Sequence, residues 1–517
     1  MQPIRLVSGF LTVGVWTLAS RILGFARDMM IAAYLGTGPV AEAFLIAFSL
    51  PNMFRRFFAE GAFNMAFVPM FSKKLEGGED ATGFAREAMS GLATVLIALT
   101  LVAMVAMPWL VLAMASGFAA DERFALATHF GRIAFPYILF ISLAALLSGV
   151  LNAAGRFAAA AAAPVLLNVV FVCAMIAADA MGWPIGEALA WAVPVAGIAQ
   201  LVLVWVAAKR AGYTILPSRP TLSPEMKRLA RIAAPAMLAG GVVQINLLVG
   251  RQVASHFEGA IAWLNYADRL YQLPLGVVGI AIGVVLLPDL SRKLRAGDTA
   301  GGQHSFSRAG EFALALTIPS AVALAVIALP IVSVLYERGR FDTEDSLATA
   351  WAVAIYGLGL PAFVLQKVLQ PLFFARENTR APFYYAVAAM VVNAGIAIGL
   401  APVIGYLSAA IATTLAGWAM VFQLWRGARP MGEAARFDTR FRTRLPRIVA
   451  ASLFMGAVLW GVAWVLNDAF YSAGWRYLAL LALIASGIVS YFAFGAKIGA
   501  FRMSDFRSAV RRSTPRG

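Results

Sequence analysis

The run Ser90–Leu112, SGLATVLIALTLVAMVAMPWLVL, decides the fold class of this chain. It holds no charged side chain, and about 20 apolar helical residues are enough to cross the hydrocarbon core of a bilayer. A second apolar run covers 447–466, in which the first residue, Arg447, is the only charged one. Backbone polar groups in a bilayer must bond to one another, so continuous spanning runs form helices, whereas barrel strands would alternate. These runs predict an all-α polytopic membrane protein.

The composition agrees with a membrane protein that carries no metal or disulfide. Of 517 residues 61% are hydrophobic and 13% are charged, whereas soluble domains have about 25% charged residues. The single cysteine, Cys173, excludes an intramolecular disulfide. The three histidines, His129, His256 and His304, are too scattered for a zinc site. We find no arrangement of nucleophile and base, and therefore expect a transporter without a cofactor rather than an enzyme.

The apolar runs predict about fourteen transmembrane helices, at 6–35, 40–70, 87–113, 125–152, 160–180, 186–208, 228–254, 260–288, 307–332, 346–373, 381–400, 404–426, 446–466 and 475–496. Basic residues concentrate in alternate connections, as in the one between the twelfth and thirteenth helices, which holds seven arginines when Arg426 and Arg447 at the adjoining helix ends are included. By the positive-inside rule this alternation places both termini in the cytoplasm. The net charge of +16 is therefore a topology signal and not a sign of nucleic-acid binding.

An internal repeat relates the second and the eighth predicted helices. Residues 43–75 align without gaps on 262–294 at a constant offset of 219, and both copies end in Pro-x-(Phe/Leu)-Ser-(Lys/Arg)-Lys-Leu. Both run toward the cytoplasm, so the repeat axis lies along the membrane normal. We predict two six-helix lobes related by a parallel pseudo-two-fold, 1–212 and 213–428, and two extra C-terminal helices with a basic tail, 429–517. Two such lobes favour alternating access to a central site.

Charged side chains inside the predicted helices are the candidate functional residues, because hydrocarbon tolerates charge only beside a cavity or a partner. Arginine dominates, and its planar fork stays charged and matches phosphate oxygens. A cavity lined by such arginines suits a multiply anionic ligand such as a diphosphate. The candidate substrate-binding residues are Arg21, Arg27, Arg55 and Arg269. The candidate supporting or gating residues are Asp28, Glu42, Arg56, Glu60, Asp268 and Lys367.

Ion pairing between or along helices is the alternative explanation for several of these charges. Glu60 follows Arg56 by four residues, which is the spacing of a bridge along one helix. On a straight helix Arg27 points well away from Arg21, and Gly24 between them would permit a bend.

The energy source of transport stays open at this point. Glu42 suits either a coupling or gating carboxylate or a helix cap. Asn393 and Gln244 suit either cation ligands or polar packing. The membrane potential alone is a further driving force for moving negative charge outward.

Several ordered motifs resemble the MurJ (MviN) family. They are SRILGFARD at 20–28, LPNMFRR at 50–56, AEGAF at 59–63, AFVP at 66–69, YADRL at 266–270 and LLP at 286–288. The likeness covers the first twelve helices, and two further helices follow, as in the family. It is most specific in the first two helices and looser from about Leu400.

This resemblance implies a lipid II flippase of the multidrug/oligosaccharidyl-lipid/polysaccharide exporter superfamily. Its substrate would be undecaprenyl-diphosphate disaccharide-pentapeptide, moved from the cytoplasmic to the periplasmic leaflet of the bacterial inner membrane. The four candidate arginines would recognise the diphosphate and head group, and helices at about 447–497 would form a groove for the polyprenyl tail. Membrane lipids and cell-wall synthesis proteins are the further partners that it implies.

Three positions depart from the family pattern. Glu42 stands where the resemblance leads us to expect aspartate, and Gln272 stands where some relatives have an acid. We therefore give Gln272 no role in ion coupling. Ala160 replaces an expected proline, which affects helix shape alone.

Other functions fit the sequence less well. A flippase for another polyprenyl-diphosphate oligosaccharide shares the diphosphate, so the cavity charges do not distinguish it. A cation-coupled drug antiporter of the same superfamily would favour carboxylates and aromatic residues over arginines. A membrane glycosyltransferase or phosphatase would need acidic metal ligands or a nucleophile, and a scaffold gives no reason for intramembrane arginines.

Overall fold

The chain folds into helices, as its apolar runs predict. The computed structural model describes the backbone of residues 6–56, 62–472 and 474–501; inside these ranges the side chains of 6–11, 62, 65, 235–247, 277 and 279–285 lie outside the description. Within the described ranges the only β-type pairing is an isolated bridge between Arg338 and Phe341. The all-α fold class is confirmed.

The first of two compact units comprises Met1–Ala262 and the short segment Arg338–Phe341. A 3-10 turn at Ser116–Ala120 interrupts its helical order. Its helices are α1 (Leu6–Leu35), α2 (Pro39–Arg55), α3 (Ala62–Glu76), α4 (Ala81–Val105), α5 (Met107–Met114), α6 (Glu122–Ala134), α7 (Tyr137–Ala153), α8 (Ala158–Met181), α9 (Ile185–Arg210), α10 (Pro224–Ala254) and the first residues of α11 (Ala260–Arg295).

The second unit comprises Trp263–Glu337 and Asp342–Gly517. It contains most of α11 and then α12 (Thr299–Val326), α13 (Ala328–Tyr336), α14 (Thr343–Phe374), α15 (Arg380–Ile404), α16 (Leu407–Ala428), α17 (Thr439–Val465), α18 (Asn467–Phe470) and α19 (Arg476–Lys497). Short 3-10 turns occupy Arg429–Met431 and Glu433–Ala435. The two lobes were predicted from the sequence repeat, whereas these two units are defined by compactness. The units therefore do not test the lobe boundaries, which stay a prediction.

Short polar side chains in the connections set where several helices begin. Asp80, Asp298 and Asp438 each accept a hydrogen bond of 2.7 Å from the backbone N–H three residues further on. These bonds satisfy N–H groups that the first helical turn leaves without a partner. Asp342 and Asp345 form a reciprocal capping box at the start of α14. The apolar runs thus supply the spans, and the polar connections define their ends.

Ten helical segments in the part of the chain that the structure describes are long and apolar enough to cross a membrane, judged by length and composition. They coincide with the predicted third to sixth and ninth to fourteenth spans. The other four predicted spans lie on α1, on α2 with α3, on α10 and on α11, and each of these includes residues outside the description. The polytopic character is confirmed, and the number fourteen stays a prediction.

Helix packing in each unit places the residues of interest. In the first unit α8 lies against α1 and α9, while α2 packs on α6 and α7 on α9. In the second unit α12 packs on α14 and α17, and α17 packs on α19. The pair α1–α8 therefore determines what surrounds the polar residues of α1.

Two glycines allow a tight turn to approach the end of α1. The backbone N–H of Arg340 donates to the carbonyl oxygen of Ala33 at 2.9 Å. Gly339 has φ +60°, and a Cβ there would lie 2.2 Å from that same carbonyl oxygen. Gly36 has φ +63°, and its Cβ would lie 2.6 Å from the carbonyl oxygen of Arg340. The turn 338–341 packs this closely only because both positions lack a side chain.

Replacing Gly339 by alanine is expected to lower the thermal midpoint of the purified protein in detergent more than Gly182→Ala does. Gly182 has φ +69° with nothing within 4 Å of its Cβ position. Both variants acquire the left-handed strain of about 1–2 kcal/mol, but only Gly339→Ala must also push the turn off α1. Equal shifts of the two midpoints would show that the contact adds nothing to stability.

Candidate functional site

Arg27 is buried on α1, and its neighbour balances its charge. Arg27 and Asp28 are each 6% exposed. Nε and Nη2 of Arg27 donate to Oδ1 of Asp28 at 3.0 and 2.7 Å. Nη1 donates to Oδ1 of Asn168 on α8 at 3.0 Å, and the guanidinium lies 5.5 Å from the ring centroid of Phe171. Buried charge is tolerated when it is paired and hydrogen-bonded. The structure thus brings two of the predicted residues, Arg27 and Asp28, into one neutral pair.

Arg21 lies on the same helix in a different environment. Its side chain is exposed, and it forms no ion pair or hydrogen bond with any residue that the structure describes. Arg27 faces α8 and is buried, so the two arginines are presented differently, as expected for positions six residues apart. A cation inside a predicted span without an internal partner is a candidate to bind an anionic ligand.

The other predicted residues of the second span lie at the end of α2. Arg55 is its last residue and is partly buried, whereas Arg56 follows it and is exposed. This difference agrees with their placement about 100° apart on a helix. Glu60 lies outside the described residues, and the predicted Arg56–Glu60 bridge lies outside them too.

In the second unit, Asp268 and Arg269 are both half-buried on α11. Gln272, one turn further, donates a hydrogen bond from Nε2 to Oδ2 of Asp268. Gln272 stands where some relatives have an acid, and here its amide hydrogen-bonds to the acid Asp268. Lys367 on α14 is exposed, and its neighbour Gln366 donates to the carbonyl oxygen of Gly417 at 3.1 Å.

Glu42 is the most deeply buried of the predicted residues, with an exposed fraction of 0%. Its Oε2 accepts from Nη1 of Arg123 at 2.7 Å, and its Oε1 accepts from the backbone N–H of Ile261 at 3.0 Å. Ile261 lies in the first turn of α11, where a negative charge is favourable. The helix of Glu42 has Gly38 as its N-cap, without a side-chain cap. Glu42 therefore caps α11 and not its own helix.

Arg123 completes this polar cluster at the start of α6. Its guanidinium also donates to Oδ2 of Asp121 at 2.6 Å and lies 4.4 Å from the ring centroid of Phe118. The same arginine holds the pKa of the Asp121 carboxyl below its ordinary value through this hydrogen bond. Two carboxylates thus surround one guanidinium, and the cluster ties α2 and the start of α11 to α6.

An apolar groove lies among α12, α17 and α19 in the second unit. It encloses about 270 Å³, and its lining includes Pro319, Ala323, Leu459 and Ile488. Polar contacts flank it: the hydroxyl of Tyr491 donates to the carbonyl oxygen of Ala315 at 2.6 Å.

Glu311 on α12 anchors the start of α17 to the same unit. It is buried and accepts hydrogen bonds from Arg308, Arg440 and Arg444. Arg308 also donates to Asp438 at 2.5 Å. These bonds fix α17 on α12, so the groove between them has defined walls.

Comparison with known proteins identifies the family. A family model described as "Lipid II flippase MurJ" matches residues 31–484. A "Probable lipid II flippase MurJ" of Rhizobium meliloti is 45% identical, with 98% of this chain and 97% of that protein covered. The chain belongs to the MurJ family. A "Lipid II flippase MurJ" of Burkholderia cenocepacia is 36% identical, with 88% of this chain and 90% of that protein covered.

Solved structures agree with membership of the MurJ family. The chain matches "Lipid II flippase MurJ, inward closed conformation" with a TM-score of 0.78 and 26% identity, covering 95% of this chain and 99% of that one. It also matches an inward-facing MATE family multidrug transporter of the MOP superfamily with a TM-score of 0.67 and 13% identity, covering 80% of this chain and 95% of that one. The second likeness shows the fold alone. The predicted family, and a transporter rather than an enzyme, are confirmed.

Sequence reasoning missed two residues of these clusters. Asn168 is an isolated amide in the apolar run PVLLNVVFV of α8, and its polarity in that run was the available signal. Arg123 lies just before a predicted span and looked like an ordinary connection residue. Their partners lie on other helices, so spacing along the chain does not indicate either pairing.

Glu42→Ala is expected to destabilise the protein by about 3 kcal/mol, the lower end of the usual cost of stranding a buried charge, because Asp121 still pairs with Arg123. Adding Arg123→Leu should restore most of the thermal midpoint, since the charge that then loses its partner is the Asp121 carboxylate, whose side chain is 39% exposed. The check is the midpoint of each purified variant in detergent.

Glu187→Ala is the control, because Glu187 is exposed and its one ion pair within the described ranges is with the exposed His129 at 3.8 Å. It should leave the midpoint nearly unchanged. A double variant no more stable than Glu42→Ala would contradict the pairing explanation.

Proposed function

We propose that this chain moves lipid II, the undecaprenyl-diphosphate disaccharide-pentapeptide, from the cytoplasmic to the periplasmic leaflet of the bacterial inner membrane. The observation that carries this proposal is Arg21 on α1, an exposed cation inside a predicted span with no partner among the described residues. Membership of the MurJ family supports it, because the names of the relatives are those of lipid II flippases.

The diphosphate is the group that the arginines suit. We assign substrate binding to Arg21, Arg27, Arg55 and Arg269, because a guanidinium stays charged in a site of low dielectric and donates bidentately to phosphate oxygens. Supporting or gating roles go to Asp28, Glu42, Arg56, Asp268 and Lys367. Asp28 and Glu42 carry them through the buried pairs described above. We propose the same supporting or gating role for Glu60, which lies outside the residues that the structure describes.

The apolar groove among α12, α17 and α19 suits the polyprenyl tail. Its walls are mostly aliphatic, with the aromatic residues Tyr491 and Phe492, and a polyprenyl chain gains dispersion contacts there without leaving an apolar environment. The head would meanwhile remain with the arginines, so one substrate would be held by two chemically different surfaces.

Transport would proceed by alternating access, with both termini in the cytoplasm. Moving net negative charge outward is favoured by the membrane potential by about 2.3 kcal/mol per charge per 100 mV. The membrane potential thus acts in the right direction to drive outward movement of the substrate. A coupling cation is the second candidate for the energy source. Cell-wall synthesis proteins are the proposed protein partners.

The first test is complementation. The protein is depleted in the bacterium that encodes it, and wild type, Arg21→Ala or Arg269→Ala is supplied while lipid II exposure at the outer leaflet is measured. We expect wild type to restore exposure and both variants to lose at least about 10-fold, since one charge-assisted hydrogen bond is worth about 1.5–3 kcal/mol.

Arg292→Ala is the matched control for this test. Its side chain is 79% exposed and pairs with Asp289 at 3.6 Å, an exposed contact of little energy. It should complement fully. Normal lipid II export after depletion would contradict lipid II as the substrate and favour another lipid-linked glycan. Normal lipid II export by both arginine variants would contradict the assignment of Arg21 and Arg269 to substrate binding.

The groove generates a separate prediction. Ala323→Phe places a ring in the groove and should reduce lipid II export, while the protein remains inserted and of normal abundance. Leu481→Phe on α19, where Leu481 is 62% exposed, adds a ring outside the groove lining and should have no effect. Equal export by the two variants would show that the tail does not use this groove.

A further inference from the structure

Asn168 joins two turns of α1 through one side chain. It is 4% exposed on α8. Its Nδ2 donates to the carbonyl oxygen of Ser20 at 2.9 Å, and its Oδ1 accepts from Nη1 of Arg27 at 3.0 Å. Both polar ends of the amide are therefore used, and both partners lie on α1. The carbonyl of Ser20 is also the one that Gly24 would bond to in a regular helix, so Asn168 approaches the helix at its backbone.

Gly24 lies beside the amide where Asn168 crosses α1. A Cβ at Gly24 would lie 3.4 Å from Nδ2 and 3.6 Å from Oδ1 of Asn168. Ser20, Gly24 and Arg27 lie on one face of α1 at the spacing of successive turns. The amide therefore lies across the side of α1 that has no side chain and reaches the arginine beyond it.

Among the described residues, Asn168 and Asp28 together leave part of the Arg27 guanidinium without a hydrogen-bond acceptor. The three bonds from Nε, Nη1 and Nη2 of Arg27 use three of its five N–H donors. One N–H remains on each terminal nitrogen, and phosphate oxygens accept such donors in pairs. Asp28 already neutralises the charge of Arg27. A second carboxylate at position 168 would compete with an anionic ligand, whereas a neutral amide orients the fork without adding negative charge.

We propose that Asn168 is a positioning residue for the anion-binding arginine Arg27, and that it sets the orientation in which Arg27 receives the diphosphate of the substrate. This rests on the proposed function, in which Arg27 binds that diphosphate. Asn168 does not itself touch the ligand. It acts by holding the guanidinium of Arg27 against α8.

The test is a binding titration of the purified full-length protein in detergent, read by native mass spectrometry. The two probes are undecaprenyl diphosphate and undecaprenol, which share a tail and differ in the diphosphate. Asn168→Leu should bind undecaprenyl diphosphate roughly 10-fold more weakly, the effect of losing one hydrogen bond to a charged group. Its affinity for undecaprenol should be unchanged. Asn168→Gln retains both amide groups and should recover part of the lost affinity.

Gln200→Leu is the matched control. Gln200 is a buried amide on α9 in the same unit; it donates to the carbonyl oxygen of Ala163 at 2.9 Å and accepts from Tyr137 at 3.3 Å. Gln200→Leu therefore also loses one bond to a backbone carbonyl and one from a side-chain donor, but that donor is a neutral hydroxyl and not an arginine. Its affinity for both probes should match wild type. Asn168→Ala serves as the second truncation if the leucine variant does not fold.

The outcomes separate the inference from the function on which it rests. If Asn168→Leu loses affinity for both probes equally, or behaves like Gln200→Leu, then Asn168 is only a packing residue and the proposal is overturned. Arg27→Ala is measured in parallel. Normal diphosphate binding by Arg27→Ala overturns the substrate role of Arg27 itself, whereas weak binding by Arg27→Ala with normal binding by Asn168→Leu overturns the inference alone.

Discussion

The cost of holding charge inside a membrane governs the polar architecture of this protein. A charged side chain in hydrocarbon is tolerated only when a partner, a cavity or the interface compensates it. Arg27 is compensated by Asp28 and Asn168, and Arg123 is compensated by Glu42 and Asp121. Each compensation draws on side chains or backbone from more than one helix. Because a buried charge needs partners, and these partners lie on other helices, the charges also connect the helices of the first unit.

Most of the fold could be predicted from sequence, because it depends on local and additive properties. The length of an apolar run determines whether it can span a bilayer, and ten of the predicted spans reappear as long apolar helices among the described residues. The motifs of the first two spans were specific enough to indicate the MurJ family. Arg27 and Asp28 were predicted as site residues because charged side chains are unusual inside an apolar span.

The partners of these charges could not be predicted, because they depend on which helix faces which. Asn168 is 141 positions from Arg27, and Arg123 is 81 positions from Glu42. No spacing rule connects such positions before the helices are packed. Glu42 illustrates the limit: its charge and its place near a helix start suggested a cap, yet the helix that it caps is α11.

The contact between Glu42 and Ile261 also bears on how the predicted internal repeat would diverge. The two positions are 219 apart, the offset of the sequence repeat. Near a two-fold axis, equivalent positions meet each other. Two identical halves would present two carboxylates to one another there, and like charges at short range repel. In this chain one copy keeps the acid and the other offers only its backbone N–H. If the predicted repeat is a true duplication, loss of symmetry at this one position would replace a repulsive self-contact with a hydrogen bond.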